Sequence, residues 1–103
     1  MFVSHFCELF TYHKSRKDGI YYCAVQLFGT SSEAAKYKCQ FKLYAANGVE
    51  QISSIFFVRS SSEDFETIFN SGRCLRLDEV TAQNFLVEHD VNLTITLSKV
   101  WHV

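Results

Sequence analysis

In the stretch YKCQFKLYAA, from Tyr37 to Ala46, polar and apolar side chains alternate without a break. Tyr37, Cys39, Phe41, Leu43 and Ala45 share one parity, and Lys38, Gln40 and Lys42 the other. Successive side chains of a strand point to opposite faces, whereas a helix would scatter the same set around its circumference. The stretch therefore settles as a strand with one dry face. Near the end of the chain VNLTITLS repeats the pattern, with Val91, Leu93, Ile95 and Leu97 inward and Asn92, Thr94, Thr96 and Ser98 outward. Two strands of this kind need partners, and the turn chemistry for making them is present. Asp18-Gly19 and Asn47-Gly48 both tolerate the positive φ of a tight hairpin.

The hairpins organise the first half of the chain. Met1 to Tyr12, aromatic on both parities, reads as one strand covered on both faces. The basic run Lys14 to Lys17 then falls at a hairpin tip, where solvated charge is the ordinary composition. Ile20 to Phe28 returns with Tyr21, Cys23, Val25 and Leu27 on one face. GTSSEAAK connects, with room for one helical turn over Ser32 to Lys36, and Glu50 to Arg59 runs back antiparallel to Tyr37–Ala45.

Between Arg59 and Phe85 the alternation fails. Ser60-x-x-Glu63 reads as a capping box that starts a helix. Phe65, Ile68 and Phe69 then share a helical face, and Gly72 stands where a helix would end. Cys74 to Leu77 is a short strand. Asp78 or Thr81 caps a second short helix that buries Ala82, Phe85 and Leu86. The expected fold is all-β with two short helices: an antiparallel β-sandwich of about six strands, with the helices inserted before the last strand. Its expected core includes Phe41, Leu43, Phe65, Phe69, Phe85, Ile95 and Leu97.

A chain of 103 residues, 48% hydrophobic and with ten Phe and five Tyr, has material for one modest core. Its formal net charge of −1 gives no electrostatic reason for a nucleic acid or an acidic membrane as partner. MFVSHFCELF lacks the basic start and unbroken apolar core of a signal peptide, and no apolar run approaches the ~18 residues of a membrane span. The expected location is the cytosol or nucleus. There Cys7, Cys23, Cys39 and Cys74 are reduced thiols.

The cysteines do not have metal spacing. The closest are sixteen residues apart, and His5, His13, His89 and His102 make no H-x3-5-H pair. No local signature marks a Cys–His nucleophile, and Glu63, Asp64 and Glu66 suit a helix start better than a paired acid and base. No catalytic residue, cofactor or metal ligand is expected in the chain. Asn92-Leu93-Thr94 matches a glycosylation sequon, and here it reads as the outward face of a strand.

The residues AVQLFGT (Ala24 to Thr30), Arg59-Ser60, Glu63, Cys74-Leu75, Asp78, AQNF (Ala82 to Phe85) and TLS (Thr96 to Ser98) resemble, in order and spacing, the seven-in-absentia (Siah/SINA) family. The match is to the C-terminal TRAF-like, substrate-binding domain of those ubiquitin ligases. The resemblance implies a helix–strand–helix excursion between sandwich strands, and a domain that binds proteins and dimerises. It further implies that the chain begins at a mid-domain strand, as one partial domain over residues 1–103. The family's RING and zinc fingers, which hold its zinc, have no counterpart here.

The family takes an extended peptide by strand addition in a groove formed mostly by the domain's first strands. An asparagine of its last strand lies near that groove, and Thr94 stands at the matching position. Val58 stands where the family has proline, and the Asn47-Gly48 hairpin is about two residues longer than the family's.

The function implied is a non-enzymatic substrate-binding and dimerisation module in ubiquitin-dependent degradation. Its partners would be degradation substrates and a Siah-type ligase or a second copy of the chain, with the ubiquitin-conjugating machinery reached only indirectly. The expected binding residues are Asn92, Thr94 and Thr96, on an edge strand left open by the absent segment. The alternatives are a secreted, disulfide-stabilised sandwich glycosylated at Asn92, and a non-functional ligase fragment.

Overall fold

The computed structural model describes the backbone of residues 2–5 and the whole of residues 9–87 and 90–100. Cys7, His89 and His102 lie outside the described residues, as does the side chain of His5. Strands β1 (Phe2–His5), β2 (Phe10–Lys17) and β3 (Ile20–Leu27) form an antiparallel meander. The first strand expected from the sequence is thus two strands, and the basic run Lys14 to Lys17 is strand rather than hairpin tip. The tip is only Asp18 (φ 52°) and Gly19 (φ 78°), because Lys17 already pairs with Ile20. Two consecutive positive φ values make the two-residue turn whose twist suits a hairpin.

A one-turn helix, α1 (Ser31–Ala34), follows. Thr30 caps it in a true capping box: its hydroxyl accepts from the Glu33 N–H, and the Glu33 carboxylate accepts from the Thr30 N–H. Strands β4 (Tyr37–Tyr44) and β5 (Gln51–Phe57) are joined by the Asn47-Gly48 loop. Only Gly48 has positive φ there. Asn47 instead uses its side-chain oxygen to accept from the N–H groups of Val49 and Glu50. The loop therefore spans more than two residues.

At Val58, which is buried, the chain leaves one sheet for the other. Strand β6 (Arg59–Ser60) pairs in parallel with the end of β3, and β7 (Leu75–Leu77) pairs antiparallel with its beginning. Helix α2 (Phe65–Ser71) lies between them in sequence, and α3 (Glu79–Asn84) follows β7. A short pair, β8 (Leu86–Val87) with β9 (Asp90–Val91), leads into β10 (Leu93–Lys99). One sheet runs β1-β2-β3 with β6 and β7 along the far side of β3, and the other runs β10-β4-β5. Apart from the β3–β6 contact the pairing is antiparallel, as expected for an all-β sandwich.

Between the sheets lies the main core. Tyr21, Cys23, Val25 and Leu27 of β3 meet Cys39, Phe41 and Leu43 of β4, joined by Leu75, Leu77, Ala82 and Phe85. A second core lies on the opposite face of β3, where Tyr22 and Ala24 pack with Ile68 and Phe69 of α2 and with Cys74. The irregular segment is therefore a cover for the outer face of the sheet. Arg76 and Lys17 add cation–π contacts to the ring of Phe69.

The capping box expected at Ser60 is absent. Ser60 is buried in β6, and its hydroxyl lies 2.6 Å from the Gly29 carbonyl it donates to. Glu63 reaches Arg59 with both carboxylate oxygens, at 2.8 and 2.9 Å. Asp64 caps α2 by accepting from the Thr67 N–H, and Gly72 ends it at φ 73°. Asp78 caps α3 in the same way, through the Thr81 N–H. Phe65, Ile95 and Leu97 are only half-buried. The first stands in the opening turn of α2, and the other two belong to an outer strand that no neighbour closes among the described residues.

Truncation tests this division. Phe69→Ala or Phe85→Ala should cost about 3–5 kcal/mol, whereas Lys42→Ala or Thr96→Ala should cost about 0.5 kcal/mol or less. Equilibrium denaturation of the four variants reads both, and equal losses at the two kinds of position would contradict the face assignment.

Candidate functional site

Among the described residues the thiols are buried out of reach. Cys23, Cys39 and Cys74 are free and buried. Burial pushes all three thiols up, Cys39 to about 12, so none is a thiolate near neutral pH. The Tyr21 hydroxyl, also buried, is pushed up and stays protonated. Among the described residues no group of His, Cys, Asp and Glu is placed to hold a metal ion. The carboxylates with lowered pKa have structural partners. Asp64 and Asp78 accept from helix amides, Glu33 accepts from Thr30, and Glu63 is held by Arg59.

His13 is the exception in kind, being a buried titratable group of the second core. It is 1% exposed, stacks on Phe65 at 3.4 Å between ring centroids, and has only a long 3.5 Å contact from Nε2 to the Tyr22 hydroxyl. Its Nδ1 has no hydrogen-bond partner. Burial lowers its pKa from 6.5, which keeps the ring neutral.

The surface offers something different: sheet edges. The three-stranded sheet ends in β10 on one side and β5 on the other. On β10 the outward side chains Asn92, Thr94, Thr96 and Ser98 are exposed, and Leu93, Ile95 and Leu97 face the core half-buried. Which backbone groups face the open side follows from the register. Tyr44 donates to the Asn92 carbonyl and Val100 donates to the Lys36 carbonyl. In an antiparallel ladder every second residue bonds inward, so the even-numbered residues of β10 bond to β4. The N–H and C=O groups of Leu93, Ile95 and Leu97 point to the open edge.

Sequence reasoning named Asn92, Thr94 and Thr96; the structure places Thr94 and Thr96 on the outer face of β10 and Asn92 exposed just before it. It missed the residues that carry the outward backbone groups. Parity alone could not find them, because the register with β4 decides which set bonds inward.

Beside this edge lies a groove of about 300 Å³ lined by Tyr12 and Lys14 of β2 and by Asp90, Val91, Asn92, Leu93 and Ile95. Lys14 and Asp90 close one wall with a 2.7 Å ion pair, which holds the Asp90 carboxyl below its usual range. Val91, Leu93 and Ile95 supply its apolar lining, and Asn92 an amide. An extended chain could pair with the edge and place alternate side chains in this groove.

The family model described as "Sina, TRAF-like domain" matches residues 1–96. The chain belongs to the seven-in-absentia family, in its TRAF-like domain. No curated protein matches the chain. The match fits the architecture described above, in which a helix–strand–helix excursion packs onto a sandwich. A TRAF-like domain of the seven-in-absentia family is a protein-interaction module, and an exposed sheet edge beside a groove is the feature here suited to that role.

His13 generates a test of the second core. The unfolded-state value is near 6.5 and the folded one lies below it, so stability is full above 6.5 and is lost as pH falls through the folded value. The described carboxylates with lowered pKa lose their contribution further down, below about pH 4.5. Melting temperature should therefore fall between about pH 7 and pH 5, and His13→Phe should flatten that part of the profile. An unchanged profile in the variant would show that His13 is not the group responsible.

Proposed function

We propose that the chain is a non-catalytic substrate-binding module of ubiquitin-dependent protein degradation, which takes an extended segment of a partner along the outer edge of β10. The observation that carries this reading is the row of outward N–H and C=O groups on Leu93, Ile95 and Leu97, set beside a groove of mixed polar and apolar lining. Such a row recruits a further strand, and Leu93 to Ser98 contains neither Pro nor a charged side chain that would block one. Asn92, Thr94 and Thr96 would flank the added strand on its outer side.

The partners proposed are degradation substrates and a Siah-type ligase or a second copy of the chain. Ubiquitin transfer would then come from a RING outside residues 1–103. The compartment proposed is the cytosol or nucleus, where thiols stay reduced.

A charge on the outer face beside the edge should block pairing while leaving the core untouched. At about 100 μM, where an open edge self-associates, light scattering should show species larger than a monomer. Thr94→Lys or Thr96→Lys should reduce them with no change in circular dichroism. A sharp monomer, unaltered by either substitution, would refute the open-edge reading. Mixed with activating and conjugating enzymes, the chain alone should build no ubiquitin ladder.

A further inference from the structure

The opposite edge of the same sheet has a different chemistry. On β5 the inward-bonding residues are again set by the register: Ala45 donates to the Glu50 carbonyl and Val58 donates to the Tyr37 carbonyl. The even-numbered residues of β5 therefore bond to β4, and Gln51, Ser53, Ile55 and Phe57 direct their N–H and C=O groups away from it. These same four residues carry the exposed side chains of the strand. Ile55 is 56% exposed and Phe57 51% exposed, on a strand with neither Pro nor charge from Gln51 to Phe57. Edges are ordinarily protected by charges, bulges or proline. This one has none of them.

The end of β5 nearest Phe57 opens on a cavity of about 490 Å³, with walls that include Ile55, Phe57 and Val100 together with the cations Lys38, Arg59 and Arg73. Arg59 is occupied by Glu63. Lys38 and Arg73 are exposed, and no salt bridge joins either of them to a described residue. Among the described residues the site combines an unpaired backbone, two apolar side chains and, at one end, three cations against the single carboxylate of Glu63.

From this we propose that β5 is a second docking edge, whose occupant is an extended peptide segment with alternate apolar residues and an acidic end. An antiparallel strand added to β5 would set its own side chains beside Ile55 and Phe57 on the outer face. Its N-terminal end would lie by Phe57, where carboxylates meet Lys38 and Arg73. A second copy of the chain fits this charge less well. Paired antiparallel through β5 it would bring a single carboxylate, Glu50, to face both Lys38 and Arg73. The β5 proposal does not depend on the reading of β10.

The test uses the full chain and a blocked, fluorescent peptide of alternating valine and threonine preceded by three glutamates, followed by anisotropy. Binding should weaken as salt is raised, because exposed charges are screened over about 10 Å at 0.1 M. Lys38→Glu combined with Arg73→Glu should weaken it by about tenfold or more. Ile55→Lys should abolish it, and Thr94→Lys on the other edge should leave it unchanged. A peptide methylated at alternate amides should fail to bind the unaltered chain, which tests strand addition without relying on a variant that must fold. Loss of binding in Thr94→Lys, equal binding of the methylated peptide, or equal binding of a peptide with lysines for glutamates would overturn the proposal. So would a chain dimer that Ile55→Lys converts to monomer.

Discussion

Keeping both faces of β3 out of water is the constraint around which the rest of the structure is arranged. Tyr21, Cys23, Val25 and Leu27 on one parity fill the space between the sheets, and Tyr22 and Ala24 on the other pack beneath α2. A strand buried on both faces contributes twice the apolar area of a half-exposed one, at about 25 cal/mol per Å². It also needs neighbours on both edges, since its backbone groups cannot turn to solvent. Strand β2 satisfies one edge. The other is shared by two short pieces, β6 at one end of β3 and β7 at the other.

That sharing explains the route of the chain after β5. To reach the far side of β3 the backbone crosses between sheets at Val58, and Arg59–Glu63 and Ser60–Gly29 pin the crossing. Helix α2 then spans the gap between β6 and β7 while covering the second face of the sheet. The excursion is one device with two tasks, edge completion and face coverage.

The other sheet has no comparable cover. With only three strands and both outer strands unpaired among the described residues, its outer backbone groups are available to partners. A fold that concentrates its helical cover on one sheet leaves the edges of the other exposed among the described residues. The two edges differ in what surrounds them: the β10 edge borders a groove closed by the Lys14–Asp90 pair, and the β5 edge ends among Lys38, Arg59 and Arg73. Among the described residues the thiols are held protonated by burial and the carboxylates with lowered pKa are tied to structural donors.

Local sequence determined the elements whose physics is local. Alternation set the faces of β4 and β10, Asp18-Gly19 set its turn through positive φ, and Gly72 and Asp78 set helix ends. The order and spacing of residues 24–98 also carried the family resemblance. Tertiary structure decided what depends on distant partners. Ser60 is a strand residue bonded to Gly29 and not a helix cap, because a hydroxyl takes the strongest acceptor that packing brings to it, and that acceptor is 31 residues away in sequence. The basic run joined β2 because its backbone found β3. Phe65, Ile95 and Leu97 stayed half-exposed because burial is set by what lies across from a residue, and hydrophobicity alone does not supply a neighbour. The outward amides of both edges were decided the same way: parity sorts side chains into two faces, but only pairing with β4 chooses which backbone groups are left for a partner.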